Sequence, residues 1–153
     1  MDNKLQSVQK ITNEYINESN DKVKNASHAY GVSGFSALLA KKRGLNPTIS
    51  AVAGLLHDIS FIRTGTYDNH DKQGADMARE ILSGTGLFEA EEIEIIYNAI
   101  LRHDLRQEQH EPYDEVLKDA DIIYPYFTQL PTEPNPSVAD RLAKVLGELL
   151  HAG

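Results

Sequence analysis

"AVAGLLHDIS", residues 51–60, runs small and leucine-rich positions straight into an imidazole and a carboxylate side by side. The stretch has no polar face, so it reads as the end of a buried helix. Burial penalises both His57 and Asp58 unless hydrogen bonds or a metal ion compensate them. A helix C-terminus also carries free carbonyls and partial negative charge, which favour a cation nearby. The rest of the chain decides between these two compensations.

Outward from this stretch the periodicity is helical almost everywhere, and no strand pattern occurs. Upstream, Asn46 and Pro47 form an N-cap and first turn. Asp21 caps a long helix running to about Arg43, with Gly44 as its stop signal. Before it, Leu5, Val8, Ile11 and Tyr15 sketch an amphipathic helix closed by "NESND". Downstream, residues 59–69 read as a loop. A helix follows from about His70 to Leu82, capped by Asp68 or Asn69 and ended by Ser83–Gly84. The next spans Glu89 to about Leu105, with Ile93, Ile96, Tyr97 and Ile100 on one stripe. Another runs from Pro112 or Tyr113 to about Phe127, and Pro125 marks a kink or an end in it. "LPTEPNP", residues 130–136, reads as a linker. Ser137 with Asp140 resembles a capping motif that opens a terminal helix, about 137–150, with Val138, Leu142, Val145 and Leu149 on one face. The expectation is a single all-α domain over residues 1–153, a bundle of about seven helices.

Composition narrows the function. A chain of 153 residues that is 41% hydrophobic supports one core, burying roughly 70% of the surface of the unfolded form. The formal net charge of −8 repels phosphate backbones and argues against nucleic acid as a partner. Cysteine is absent, which removes disulfides, thiolate nucleophiles and sulfur ligands, so any metal is held by imidazole nitrogen and carboxylate oxygen. No signal-peptide pattern and no apolar run of membrane-spanning length occurs, and a cytoplasmic protein is the default expectation.

Six histidines occur, and three are followed by Asp: His57–Asp58, His70–Asp71 and His103–Asp104. Random placement gives fewer than one such pair, so position has to decide their meaning. His28 lies near Tyr30, Val32 and Phe35 in the long helix. His103 stands one turn beyond Ile96 and Ile100. Asp121 follows Val116, Leu117 and Ala120 and precedes Ile122 and Ile123; in such surroundings a carboxylate requires a partner. Four helices and the His57–Asp58 turn thus each offer a donor from an apolar environment. If they converge, the set suits zinc, iron or manganese and is poor for calcium. Two ions bridged by Asp58 are geometrically compatible with this many donors. His110 and His151 read as surface residues. The tyrosines 113, 124 and 126 read as packing rather than as a base-stacking platform.

The ordered series His28, "LLHD" at 55–58, "HDKQGADMAREIL" from His70, "AILRH" ending at His103 and "VLKDAD" ending at Asp121 resembles the HD-domain metal-dependent phosphohydrolases over about residues 28–123. The resemblance implies an HD-domain fold in which His28, His57, Asp58 and Asp121 form a first metal site. His70 and His103 look like the extra histidines of the two-metal branch, with Asp58 bridging. One or two divalent transition-metal ions (iron, manganese, zinc, nickel or cobalt) are then the implied cofactor. His70, Gly74 and Ala75 match an HxxxGA pattern whose small residues let helices approach. Many relatives read HDIG followed by Lys; here Ser60 and Phe61 take those places, leaving Arg63 or Lys72 to supply the phosphate-binding cation.

The resemblance implies hydrolysis of a phosphate ester or anhydride of a small phosphorylated molecule, with a nucleotide as the favoured substrate. Water is activated at the metal centre, with Asp58 holding the metal and orienting the nucleophile. Asp71 or Asp104 is expected either to relay a proton or to support the metal ligands from outside. Two other readings stand beside it: a di-iron oxygenase on the same scaffold, and a metal-stabilised module that binds a nucleotide without turning it over.

Overall fold

The computed structural model describes residues 3–129 and 135–151. In chain order the helices are α1 (Asn3–Asn17), α2 (Lys22–Lys42), α3 (Pro47–Leu56), α4 (Ile59–Thr64), α5 (His70–Thr85), α6 (Ala90–Arg102), α7 (Pro112–Thr128) and α8 (Ala139–Leu150), with a 3-10 turn at Pro136–Val138. No strand occurs among the described residues. The all-α expectation holds, with one helix more than anticipated.

The opening stretch forms the middle of the bundle. Asn46 Oδ1 accepts from the Thr48 backbone N–H at 2.9 Å, Pro47 sets the first turn, and every residue from Ile49 to Leu56 is buried. A helix apolar on all sides needs neighbours on all sides, and α1, α2, α6 and α7 surround it. Contact with α2 is the most intimate. A Cβ on Gly54 would lie 2.9 Å from Ser33 Cα and 2.9 Å from Val32 O, and Ser33 Oγ donates to Ala51 O at 2.8 Å. Across α2, a Cβ on Gly31 would overlap the ring of Tyr124 on α7, whose hydroxyl meets Ser27 Oγ at 2.6 Å. These two close approaches bring His28, His57 and Asp121 to one level of the bundle.

Several boundaries differ from the sequence expectation. Residues 59–64, expected as loop, are helical: Ile59 and Ile62 are buried, and Gly65 closes the helix at φ 76°. Six residues are too few for a periodicity to register. Helix α5 runs through Ser83–Gly84 to Thr85, because Gly86, at φ 67°, is the residue in the left-handed cap. Asn69 precedes α5 at φ 52° and makes no side-chain cap bond. Helix α6 ends at Arg102 rather than near Leu105, which makes His103 its C-cap. Helix α7 continues past Pro125 to Thr128. The expected linker falls largely on residues 130–134, outside the described residues. Beyond it, Asn135 rather than Ser137 caps the turn, accepting from Ser137 N at 3.0 Å. Val138 and Leu142 pack on Ile122, and Val145 joins the main core, so α8 belongs to the same domain. No described helix is long and apolar enough to cross a membrane.

Gly54→Ala is expected to force α2 and α3 apart at a cost of about 1–3 kcal/mol, lowering Tm by roughly 3–10 °C. Gly34 lies exposed in the same α2, and a Cβ added there would have nothing within 4 Å. Gly34→Ala should instead gain about 0.5–1 kcal/mol from helix propensity. Thermal unfolding of both variants by circular dichroism checks the contrast.

Candidate metal centre

Helix ends aim the imidazoles. His57 is the C-cap of α3 and His103 the C-cap of α6, where the last carbonyls lack helical partners. His57 Nδ1 donates to Gly54 O at 2.6 Å, and His103 Nδ1 donates to Ile100 O at 2.5 Å. His70, the first residue of α5, donates from Nδ1 to Tyr67 O at 2.8 Å. A carbonyl only accepts, so each of these bonds fixes the tautomer and leaves Nε2 as a lone pair. His28 comes from the second turn of α2, Asp121 from the middle of α7, and Asp58 is the N-cap residue of α4 without a side-chain cap bond.

Those atoms meet. His28 Nε2 lies 3.0 Å from His57 Nε2, 3.3 Å from Asp58 Oδ2 and 3.4 Å from Asp121 Oδ1. His57 Nε2 is 3.4 Å from Asp58 Oδ2 and 3.3 Å from Asp121 Oδ1. Two ligands ~2.1 Å from a shared ion stand about 3.0–3.4 Å apart, so the spacing fits one transition-metal cation. The other oxygen of Asp58 faces a second group: Oδ1 is 3.8 Å from His103 Nε2 and 4.0 Å from His70 Nε2. Asp104 Oδ2 lies 2.9 Å from His70 Nε2 at the mouth of the cleft. Both donor groups are compatible with a metal ion.

The decisive feature is that acceptors face acceptors. Lone pairs on His57, His70 and His103 point at carboxylate oxygens, and only a cation or added protons reconcile them. In the protein alone, protons take that place. Burial disfavours imidazolium at His28, but hydrogen bonds to Asp121 and Asp58 and their charges prevail, pushing its pKa up to about 10. The same contest raises His57, where desolvation is outweighed by the charges of Asp58 and Asp121. Burial alone would raise Asp58, yet His57 and His28 bring it down to about 2. Asp121 is held well below the ordinary carboxylate range, the charge of His57 and the hydrogen bond from His28 overcoming desolvation.

The expected donors His28, His57, Asp58, His70, His103 and Asp121 are thus gathered in one cleft, whereas the two expected phosphate-binding cations are not. Lys72 points along the outer face of α5, pairing with Asp76 at 2.7 Å and reaching Tyr97 Oη at 3.1 Å. Arg63 lines hollows beside α1 and the start of α2, away from the donors. Arg106 stands in the cleft instead, with Nη2 2.5 Å from Asp121 Oδ2 and its buried Nε lacking a partner among the described residues. It sits two positions after the His103–Asp104 pair, in the polar run "DLRQEQHE", where its charge reads as solvation. Of the three tyrosines, only Tyr124 borders the cleft; Tyr113 Oη accepts from Asn46 N, and Tyr126 packs on the small cluster with Ile122. Gly74 lies over His57 O, but at 3.5 Å a methyl there would make ordinary contact, so the close approach does not require glycine. His151 is exposed, while His110 is tied in, accepting at Nδ1 from Lys118 Nζ.

A family model described as HD domain matches residues 25–125. The chain belongs to the HD-domain family. A crystal structure described as a predicted HD superfamily hydrolase from an uncultured Thermotogales bacterium superposes with a TM-score of 0.66 at 23% identity, covering 95% of this chain and 88% of that one. At that identity the likeness establishes a shared fold. No curated protein matches the HD-domain chain.

Divalent manganese, iron or cobalt at a hundredfold excess over Kd should stabilise the wild type by about 2.7 kcal/mol, raising Tm by roughly 5–10 °C. Asp58→Ala should stay folded, lose the shift and retain no metal on elemental analysis. A shift of wild-type size in Asp58→Ala would remove Asp58 from the site.

Proposed function

We propose that the protein hydrolyses a phosphate ester or anhydride of a small phosphorylated molecule, a nucleotide being the favoured class. The observation that carries this reading is the division of Asp58: Oδ2 serves one donor group and Oδ1 the other, an arrangement suited to a bridged pair of cations. When bound, such cations supply Lewis acidity and lower the pKa of a coordinated water toward neutrality.

The chain's own residues do the rest. Nδ1 bonds from His57, His70 and His103 hold three imidazoles rigid, so little reorganisation accompanies the reaction. Asp58 orients the attacking water. Arg106 keeps Asp121 in place through Nη2 and offers its exposed guanidinium N–H groups to phosphoryl oxygens in the mouth. Asp104, 43% exposed beside His70, is placed to take the proton of the attacking water and return it to the leaving oxygen. The water oxygen bonds to phosphorus as the bond to the leaving oxygen breaks, and no oxidation state changes.

Phosphate release from a panel of nucleotides and sugar phosphates, assayed with manganese, iron, nickel or cobalt, tests the reading. Turnover is expected with at least one compound, abolished by a chelator. Arg106→Met should lower kcat/KM by about 10–100-fold, through lost charge-assisted contacts to phosphate. No release from any compound would overturn the proposal. Oxygen consumption by the iron-loaded protein would select the oxygenase reading instead, and tight nucleotide binding without turnover the binding module.

A further inference from the structure

The ligand cluster opens on its other side into a second hollow of about 230 Å³, between α2, α4 and the end of α7. It shares His28, Asp58, Tyr67 and Pro125 with the mouth that holds Arg106. Ligand pockets commonly run from about 300 Å³ upward, so this hollow suits part of a molecule whose remainder lies at the metal centre. Its character differs from that of the mouth. Phe61, Tyr67 and Tyr124 supply aromatic surface, while Lys24 and Asn25 supply polar groups.

Tyr67 is the telling residue. Its ring stacks on Phe61 with centroids 4.0 Å apart and planes 11° from parallel, and meets His70 edge-on at 5.2 Å. It nevertheless remains 56% exposed, a large aromatic surface left open beside a charged cleft. Its backbone carbonyl accepts the His70 Nδ1 proton, which ties the turn carrying the ring to the ligand cluster. Tyr124 forms a fixed wall, 8% exposed, held by Ser27 and edge-on to His28 at 4.9 Å.

We infer that this hollow is the subsite for the flat heteroaromatic ring of a nucleoside phosphate, with Tyr67 as the residue that selects for the ring and the phosphate directed to the ligand cluster beside Arg106. The inference rests on the phosphohydrolase reading for the position of the phosphate. Aromatic walls stack any base through its π-face, and the amide of Asn25 with the ammonium of Lys24 suits the ring nitrogens and carbonyl oxygens at a base edge.

The test uses manganese-loaded protein and two phosphonates that resist hydrolysis: the phosphonate analogue of adenosine 5′-monophosphate, and methylphosphonate, which has no ring. Isothermal titration should show the adenosine compound binding the wild type more tightly. Tyr67→Ala should weaken it roughly tenfold while changing methylphosphonate less than about twofold, and Tyr67→Phe should restore it. Equal losses for both probes, or no preference for the adenosine compound in the wild type, would overturn the inference. The two proposals fail separately. Equal turnover of ribose 5-phosphate and adenosine 5′-monophosphate leaves the hydrolase reading standing and sinks the subsite. A Tyr67-dependent preference without turnover of any phosphate does the reverse.

Discussion

Three imidazoles whose Nδ1 protons are already committed to backbone carbonyls turn their lone pairs on three carboxylates, in a cleft whose inner residues His57, His103 and Asp121 are buried. Without a cation or added protons, such an arrangement is unfavourable several times over: lone pairs face lone pairs, Asp58 and Asp121 converge on the same point, and His57 has no exposed surface through which water could relieve it. Helix packing nevertheless enforces it. The contact of Gly54 with α2 and of Gly31 with α7 leaves no slack for His28, His57 and Asp121 to move apart. The fold therefore supplies, from apolar contacts made elsewhere, the work of holding mutually repulsive donors ready for a cation.

This division of labour explains what was legible in the sequence. His28, His57, His103 and Asp121 stood out because a polar residue inside an apolar helix pattern conflicts with its surroundings, and such conflicts mark sites. Their convergence was not legible from periodicity alone, since it depends on which helix faces meet. The ordered resemblance to HD-domain proteins supplied that register, and the geometry shows the donors within 4.8 Å of one another in each group. Helix boundaries were legible to within a turn, except where a short helix gave too little pattern, as in α4; the end of α5 moved by three residues because Gly86, not Gly84, takes the left-handed cap.

Cations were the weakest part of the sequence reading, for an identifiable reason. Lys72 lies two residues from His70, which on a helix places it on a different face; there Asp76, one turn on, claims it. Lys118 lies in an apolar helix and is wholly buried, yet it donates to Glu115, His110 and the carbonyl of Glu108, partners drawn largely from a loop with no pattern of its own. Arg106 belongs to that loop as well. Where a charged residue's environment is made by segments distant in sequence, local composition describes it as a solvated surface group, and the description is wrong.

That loop also shows how far the cleft depends on residues outside the matched family region. Arg141 on α8 donates from Nε to Arg106 O at 3.0 Å and from Nη2 to Glu108 O at 3.3 Å, while its other contacts, Asp119 and Glu115, lie on α7. Arg43, at the end of α2, binds the same Asp119 and reaches Glu148 on α8. The guanidinium of Arg141 thus spans α7 and the α6–α7 loop, and the carbonyl it grips belongs to the residue whose side chain holds Asp121. Partly buried bidentate and multiply bonded guanidiniums resist displacement better than exposed pairs. The C-terminal helix adds no donor to the metal centre, yet it fixes the backbone from which the cleft's arginine projects, so the geometry of the mouth is set by a contact 35 residues along the chain.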